Sequence, residues 1–193
     1  MDERCNQMPD CKDKSDERDC RILFLEDDYN KRVPPISATE DSRRELTPVN
    51  VDVSLTLFKV VSMVEEEHSI ELEFEIRLEW KENRATYHNL KLKRALNALS
   101  QADIERLWLP LVIYSNTDQM ETTRLGQPWE WTTLVDVLRK GNFTRSGLNK
   151  LHETEIFAGS ENSLLMQQSY TREFQCIYQL EAYPFDTQVK IPC

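Results

Sequence analysis

The sequence predicts a mainly β chain, an antiparallel β-sandwich with a small module of the disulfide and calcium type at its N-terminus. Apolar and polar residues alternate along two long stretches, 49–57 and 70–80, the period of strands with one buried face. Three of the five cysteines, Cys5, Cys11 and Cys20, crowd into the first twenty residues. Only four glycines serve the whole chain, so the turns between strands rely on Asn, Asp, Ser and Pro.

Composition narrows the function classes. A net charge of -10 argues against nucleic-acid binding, which needs a basic face to displace counterions from phosphate. No stretch approaches the roughly 20 apolar residues of a membrane helix. No apolar run follows a basic start, so Met1 is expected to lie inside a longer protein. Crowded cysteines belong to oxidised, extracellular surroundings. The sequon Asn142-Phe143-Thr144 fits that address and marks Asn142 as a glycosylation candidate.

Residues 1–20 are too polar to form a core, so they are held by cross-links or metal or stay disordered. Their carboxylates and carbonyls suit calcium, a hard ion that takes six to eight oxygens. The cysteine spacing, with the run Asp16-Glu17 before Cys20, resembles the C-terminal half of an LDL-receptor class A repeat. The resemblance implies a Cys5–Cys20 disulfide, with Cys11 paired to a cysteine upstream of Met1. It also implies Ca2+ held by side chains of Asn6, Asp10, Asp16 and Glu17 and by the carbonyls of Glu3 and Met8. Asn6 stands where an aspartate is usual and Glu3 where a tryptophan is usual, so binding in this half-module is expected to be weak.

Residues 21–47 read as a linker, with an apolar patch at Ile22–Leu25 and paired prolines, Pro34 and Pro35, that bar a helix. The sandwich domain is expected over 48–193. Val49, Val51, Val53, Leu55 and Leu57 alternate with polar residues. After the acidic turn at 65–69, Ile70, Leu72, Phe74, Ile76, Leu78 and Trp80 are expected inward and Glu71, Glu73, Glu75, Arg77 and Glu79 outward. This hairpin predicts a core of Val51, Val53, Leu55, Phe74, Ile76 and Leu78. Ser100-Gln-Ala-Asp103 before Ile104 is a helix start with a weak capping box. Further strands are expected over 109–114, 132–138, 155–157, 163–171 and 174–180.

Catalysis has no visible carrier. The three histidines, His68, His88 and His152, are far apart and are expected to be solvated. No nucleophile elbow, zinc-binding helix, phosphate loop or CxxC pair occurs. The tryptophans Trp80 and Trp108 read as core rather than as a binding box.

Separated motifs occur in the order found in the ligand-binding domain of Cys-loop receptors. Tyr29…Pro34-Pro35 followed by Pro48-Val49-Asn50-Val51 resembles the approach to the first strand of that family. Trp80-Lys-Glu82-Asn-Arg84 is similar to its Trp-x-Asp-x-Arg motif. Trp108-Leu-Pro110…Asn116 resembles the segment called loop A, with Leu111 where aspartate is usual. Cys176…Tyr183-Pro184-Phe185-Asp186 looks like the signature loop whose tip transmits gating.

The resemblance covers about Tyr29 to Gln188 and implies an incomplete ligand-binding sandwich of a pentameric channel subunit on the extracellular side of the cell membrane. Its partners would be other subunits, in a homo- or hetero-pentamer, and a small neurotransmitter-like ligand. Membrane contact would come only through downstream helices. Trp80, Arg84, Trp108 and Pro110 would be structural, and Glu75, Arg77 and Ser115 would face ligand. Glu75 and Ser115 stand where cholinergic relatives hold aromatic residues, which argues against a quaternary ammonium. Arg77 stands where relatives that bind amino-acid transmitters often hold an arginine for the carboxylate; charge pairing with a neighbouring glutamate is its other use.

The second cysteine of the signature loop would fall at Lys190 in the family. The last few residues are therefore expected to be a truncated or misread end, the alternative being an enlarged loop closed by Cys176–Cys193. A secreted, poreless ligand-binding relative and an adhesion sandwich are the other function classes in view.

Overall fold

A computed structural model describes residues 11–12, 20–37, 47–64, 67–114, 116, 122–123, 134–146 and 154–175. Its strands in chain order are β1 (Leu23–Leu25), β2 (Ile36–Ser37), β3 (Thr47–Pro48), β4 (Val51–Val64), β5 (Ser69–Lys81), β6 (Ala85–His88), β7 (Val112–Ile113), β8 (Thr122–Thr123), β9 (Leu134–Leu138), β10 (Phe143–Ser146), β11 (Thr154–Ala158) and β12 (Ser163–Gln175). One four-stranded sheet has the order β1-β6-β11-β10 and the other β4-β5-β12-β9; β2 pairs β3, and β7 pairs β8. The chain is thus mainly β with two antiparallel sheets, as the alternation predicts. Among the described residues no helix is long and apolar enough to cross a membrane.

The described residues fall into two compact units. One draws on 1–52, 78–109 and 134–166, the other on 53–77, 110–133 and 167–193. The core of the first unit includes Leu23, Trp80, Tyr87, Leu90, Val135, Val137, Phe157 and Leu164, each less than 2% exposed. The second is built on aromatics. Phe74 stacks on Tyr170 at 5.5 Å and meets Phe174 at 5.8 Å and Tyr114 at 6.0 Å.

Strand β5 buries Phe74, Ile76, Leu78 and Trp80, as its alternation predicts. Its partner β4 does not follow. Val53 is 66% exposed, Leu55 64% and Leu57 52%, so the expectation that Val51, Val53 and Leu55 complete the hairpin core is corrected. The cause is position: among the described residues β4 is the edge strand of its sheet, bonded only to β5, and even its polar positions are exposed. Alternation tells which residues share a face. It does not tell whether that face is covered.

Glu75 is the second correction, since it is buried rather than outward. A buried carboxylate is tolerated where charged and polar donors meet it, and the donors here are described below.

Short elements carry more than the pattern suggests. Within the stretch expected to be a linker, Leu23 is fully buried and β1 pairs with β6 in the register Leu23↔Tyr87. His88, expected to be solvated, stacks on Phe24 with ring centroids 3.8 Å apart. Burial lowers its pKa below the ordinary 6.5. A folded-state pKa depressed in this way contributes stability above the unfolded value and loses it as pH falls through the folded one. Stability should therefore decline below pH 6.5, and His88→Phe should remove that part of the decline in denaturation curves taken across the range.

The N-cap half of the expected capping box is present, while the Asp103 carboxylate meets the Ser100 hydroxyl rather than its backbone N–H. The backbone N–H of Asp103 donates to Ser100 Oγ at 3.2 Å, and Ser100 Oγ donates to Asp103 Oδ2 at 2.7 Å, opening the single turn α1 (Gln101–Ile104).

Candidate functional site

Two clusters of charged side chains stand out, one in each unit. In the first unit, Trp80, Glu82 and Arg84 close β5 and enter β6. Spacing of two residues lets Arg84 turn back on Glu82: its Nε donates to Oε1 at 2.7 Å and its Nη2 to Oε2 at 2.8 Å, a bidentate pair. Tyr29, far off in sequence, completes it. The Tyr29 hydroxyl donates to Glu82 Oε2 at 2.9 Å and accepts the Trp108 backbone N–H at 2.8 Å. The Arg84 guanidinium lies 4.6 Å over the Tyr29 ring, and Trp80 and Trp108 meet edge-on at 6.2 Å.

Glu82 is wholly buried, so this ion pair is a fixed corner and not a surface contact. Burial pushes the Tyr29 hydroxyl far above its ordinary pKa, with the Glu82 carboxylate adding to the shift. Hydrogen bonding to Glu82 holds the Arg84 pKa above its usual value. Gly159 seals the corner from β11: its N–H donates to Ala85 O at 3.0 Å, and a Cβ there would collide with the carbonyl oxygens of Glu82 and Ala85. The structure thus joins Trp80, Arg84 and Trp108 as a structural constellation. Pro110 is buried but belongs to the other unit.

The second cluster sits on the neighbouring strands β5 and β12. Arg77 Nε donates to Glu75 Oε1 at 2.7 Å, and Gln167 Nε2 donates to Glu75 Oε2 at 2.6 Å. Both carboxylate oxygens are therefore occupied. The Glu75 side chain is 7% exposed and that of Arg77 48%. Among the described residues no acceptor meets the two Nη atoms of Arg77, so its flat fork is presented outward on a fixed stem. The expectation that Arg77 pairs with a neighbouring glutamate holds for Nε alone.

The structure brings Glu75 and Arg77 together and adds Gln167, which sequence reasoning missed. Nothing in the sequence signals Gln167, because its role depends on cross-strand register between residues 92 positions apart. Tyr29 is visible as a motif residue but not as the cap on Glu82. Ser115 lies outside the described residues, as do the gating residues Tyr183, Pro184, Phe185 and Asp186 and the cysteines Cys176 and Cys193. The expected calcium side chains Asn6, Asp10, Asp16 and Glu17, with Cys5, lie outside them too. Cys20 is disulfide-bonded.

Comparison with known proteins adds one finding. The sequence model of the family described as neurotransmitter-gated ion-channel ligand binding domain matches residues 20–130, more than half of the chain and the whole of the Tyr29, Glu82 and Arg84 corner. No curated protein matches the chain.

Proposed function

Because the chain belongs to the family of neurotransmitter-gated ion-channel ligand-binding domains, we propose that it is the extracellular ligand-binding portion of a pentameric channel subunit and that Arg77 presents its two Nη atoms to the carboxylate of a small transmitter. The family is a channel binding domain and not an enzyme class. Its members act as subunits of pentameric channels that bind small neurotransmitters.

One observation carries the ligand reading: among the described residues Arg77 is gripped through Nε only, so its terminal fork is aimed outward. A guanidinium in that state matches the planar, bidentate geometry of a carboxylate, worth about 1.5–3 kcal/mol as a charge-assisted contact. A cationic ligand finds less here. Both oxygens of Glu75 are already taken, and the strand position offers a buried carboxylate in place of an aromatic face. Glu75 and Gln167 are then positioning residues. Ser115, on the segment resembling loop A, would contribute to the same site, and Tyr183–Asp186 would carry the signal to the pore. The N-terminal cysteine module belongs to the same proposal as a half LDL-receptor class A unit with a weak calcium site.

Recording from cells that express the full-length subunit, challenged in turn with amino-acid and amine transmitters, tests this. A saturable current evoked by a carboxylate-bearing compound is the expected result. Ligand binding by a secreted ring without current would point to a poreless relative, and a monomeric chain that binds no transmitter would overturn the reading.

A further inference from the structure

We propose that Asn142 carries an N-linked glycan and that this glycan covers the open edge of β10. The idea rests on the extracellular reading above but concerns a different surface. Asn142-Phe143-Thr144 is the only Asn-x-Ser/Thr triplet in the chain.

Asn142 is exposed, and its side-chain amide meets no partner among the described residues; only its backbone N–H is used, donating to Glu161 Oε2 at 3.0 Å. Thr144, two residues on and within β10, is exposed as well. Phe143, between them, is half-buried, tilted against Phe157 at 5.4 Å, with the Arg139 guanidinium 5.4 Å from its ring. The middle residue of the triplet is thereby anchored, and the two residues that take part in modification point to solvent.

The chemistry balances without an oxidant. The Asn142 amide nitrogen attacks C1 of an oligosaccharide carried on a lipid diphosphate; the N–C1 bond forms and the C1–O bond to phosphate breaks. The lipid diphosphate leaves, and the amide proton passes to base.

Topology supplies the consequence. Among the described residues β10 is the last strand in the order β1-β6-β11-β10 and is paired on one side only, in the register Thr144↔Ile156. A sheet edge is where an extended chain can add as a further strand. A bulky, hydrated oligosaccharide one residue before the edge begins would deny that approach.

The test expresses the chain behind a cleavable secretion signal in a eukaryotic host and treats it with an amidase that cleaves N-glycans. Wild type and Thr144→Ser should lose the mass of one oligosaccharide, while Asn142→Gln and Thr144→Ala should lose none. This readout does not depend on whether a variant folds well. On size-exclusion chromatography, the enzymatically deglycosylated wild type should show added self-associated species relative to the untreated protein. A wild-type chain that reaches the medium without a glycan overturns the proposal and leaves the function reading standing. Unchanged self-association after deglycosylation overturns the edge-covering role.

Discussion

Phe74→Ala is expected to cost about 3–5 kcal/mol, the range for truncating a buried aromatic. Phe74 is 3% exposed and touches three other rings, so its removal opens a cavity that Tyr114, Tyr170 and Phe174 cannot fill without losing their own ring contacts. Val53→Ala and Leu55→Ala, on the exposed edge strand β4, should each stay within about 0.5 kcal/mol. Denaturant midpoints of the three variants give the comparison. Equal losses would contradict the burial described for β4 and β5.

Arg84→Ala is expected to cost about 3 kcal/mol, near the low end for breaking a buried pair. The loss is large because Glu82 is fully buried and would keep its charge without its bidentate partner. It is held to the low end by Tyr29, whose hydroxyl still donates to Glu82. Arg84→Lys restores the charge but not the fork and should recover only part of the loss. Thermal unfolding followed by tryptophan fluorescence checks this directly, since Trp80 and Trp108 pack in the same unit. An Arg84→Ala chain as stable as wild type would show that the corner is dispensable.

The legible parts of this fold are those encoded by neighbours in sequence. Alternation located β4 and β5, and the i to i+3 pattern located the turn at Ser100, while Glu82 and Arg84 were visible only as motif residues and not as a bidentate pair. What escaped depends on distant segments. Three residues of β1 and four of β6 are too short to show a period, yet they pair and bury Leu23 and Tyr87. Glu75 reads as solvent-facing because it falls in the polar register of its strand with Glu71, Glu73, Arg77 and Glu79. It is buried because Arg77 sits beside it and Gln167 reaches it from β12. The exposure of β4 escaped for the opposite reason: its apolar residues imply a covering layer that the described residues do not supply.

The proposed transmitter contact is tested most directly by a concentration–response curve on channels carrying Arg77→Lys. Lysine keeps a positive charge beside the buried Glu75, so folding and surface delivery are preserved, while the planar two-pronged donor is lost. The account predicts that a carboxylate-bearing transmitter will need about tenfold or higher concentration for half-maximal current, the equivalent of about 1.4 kcal/mol or more. Curves that superimpose for wild type and Arg77→Lys, at equal surface expression, would contradict it.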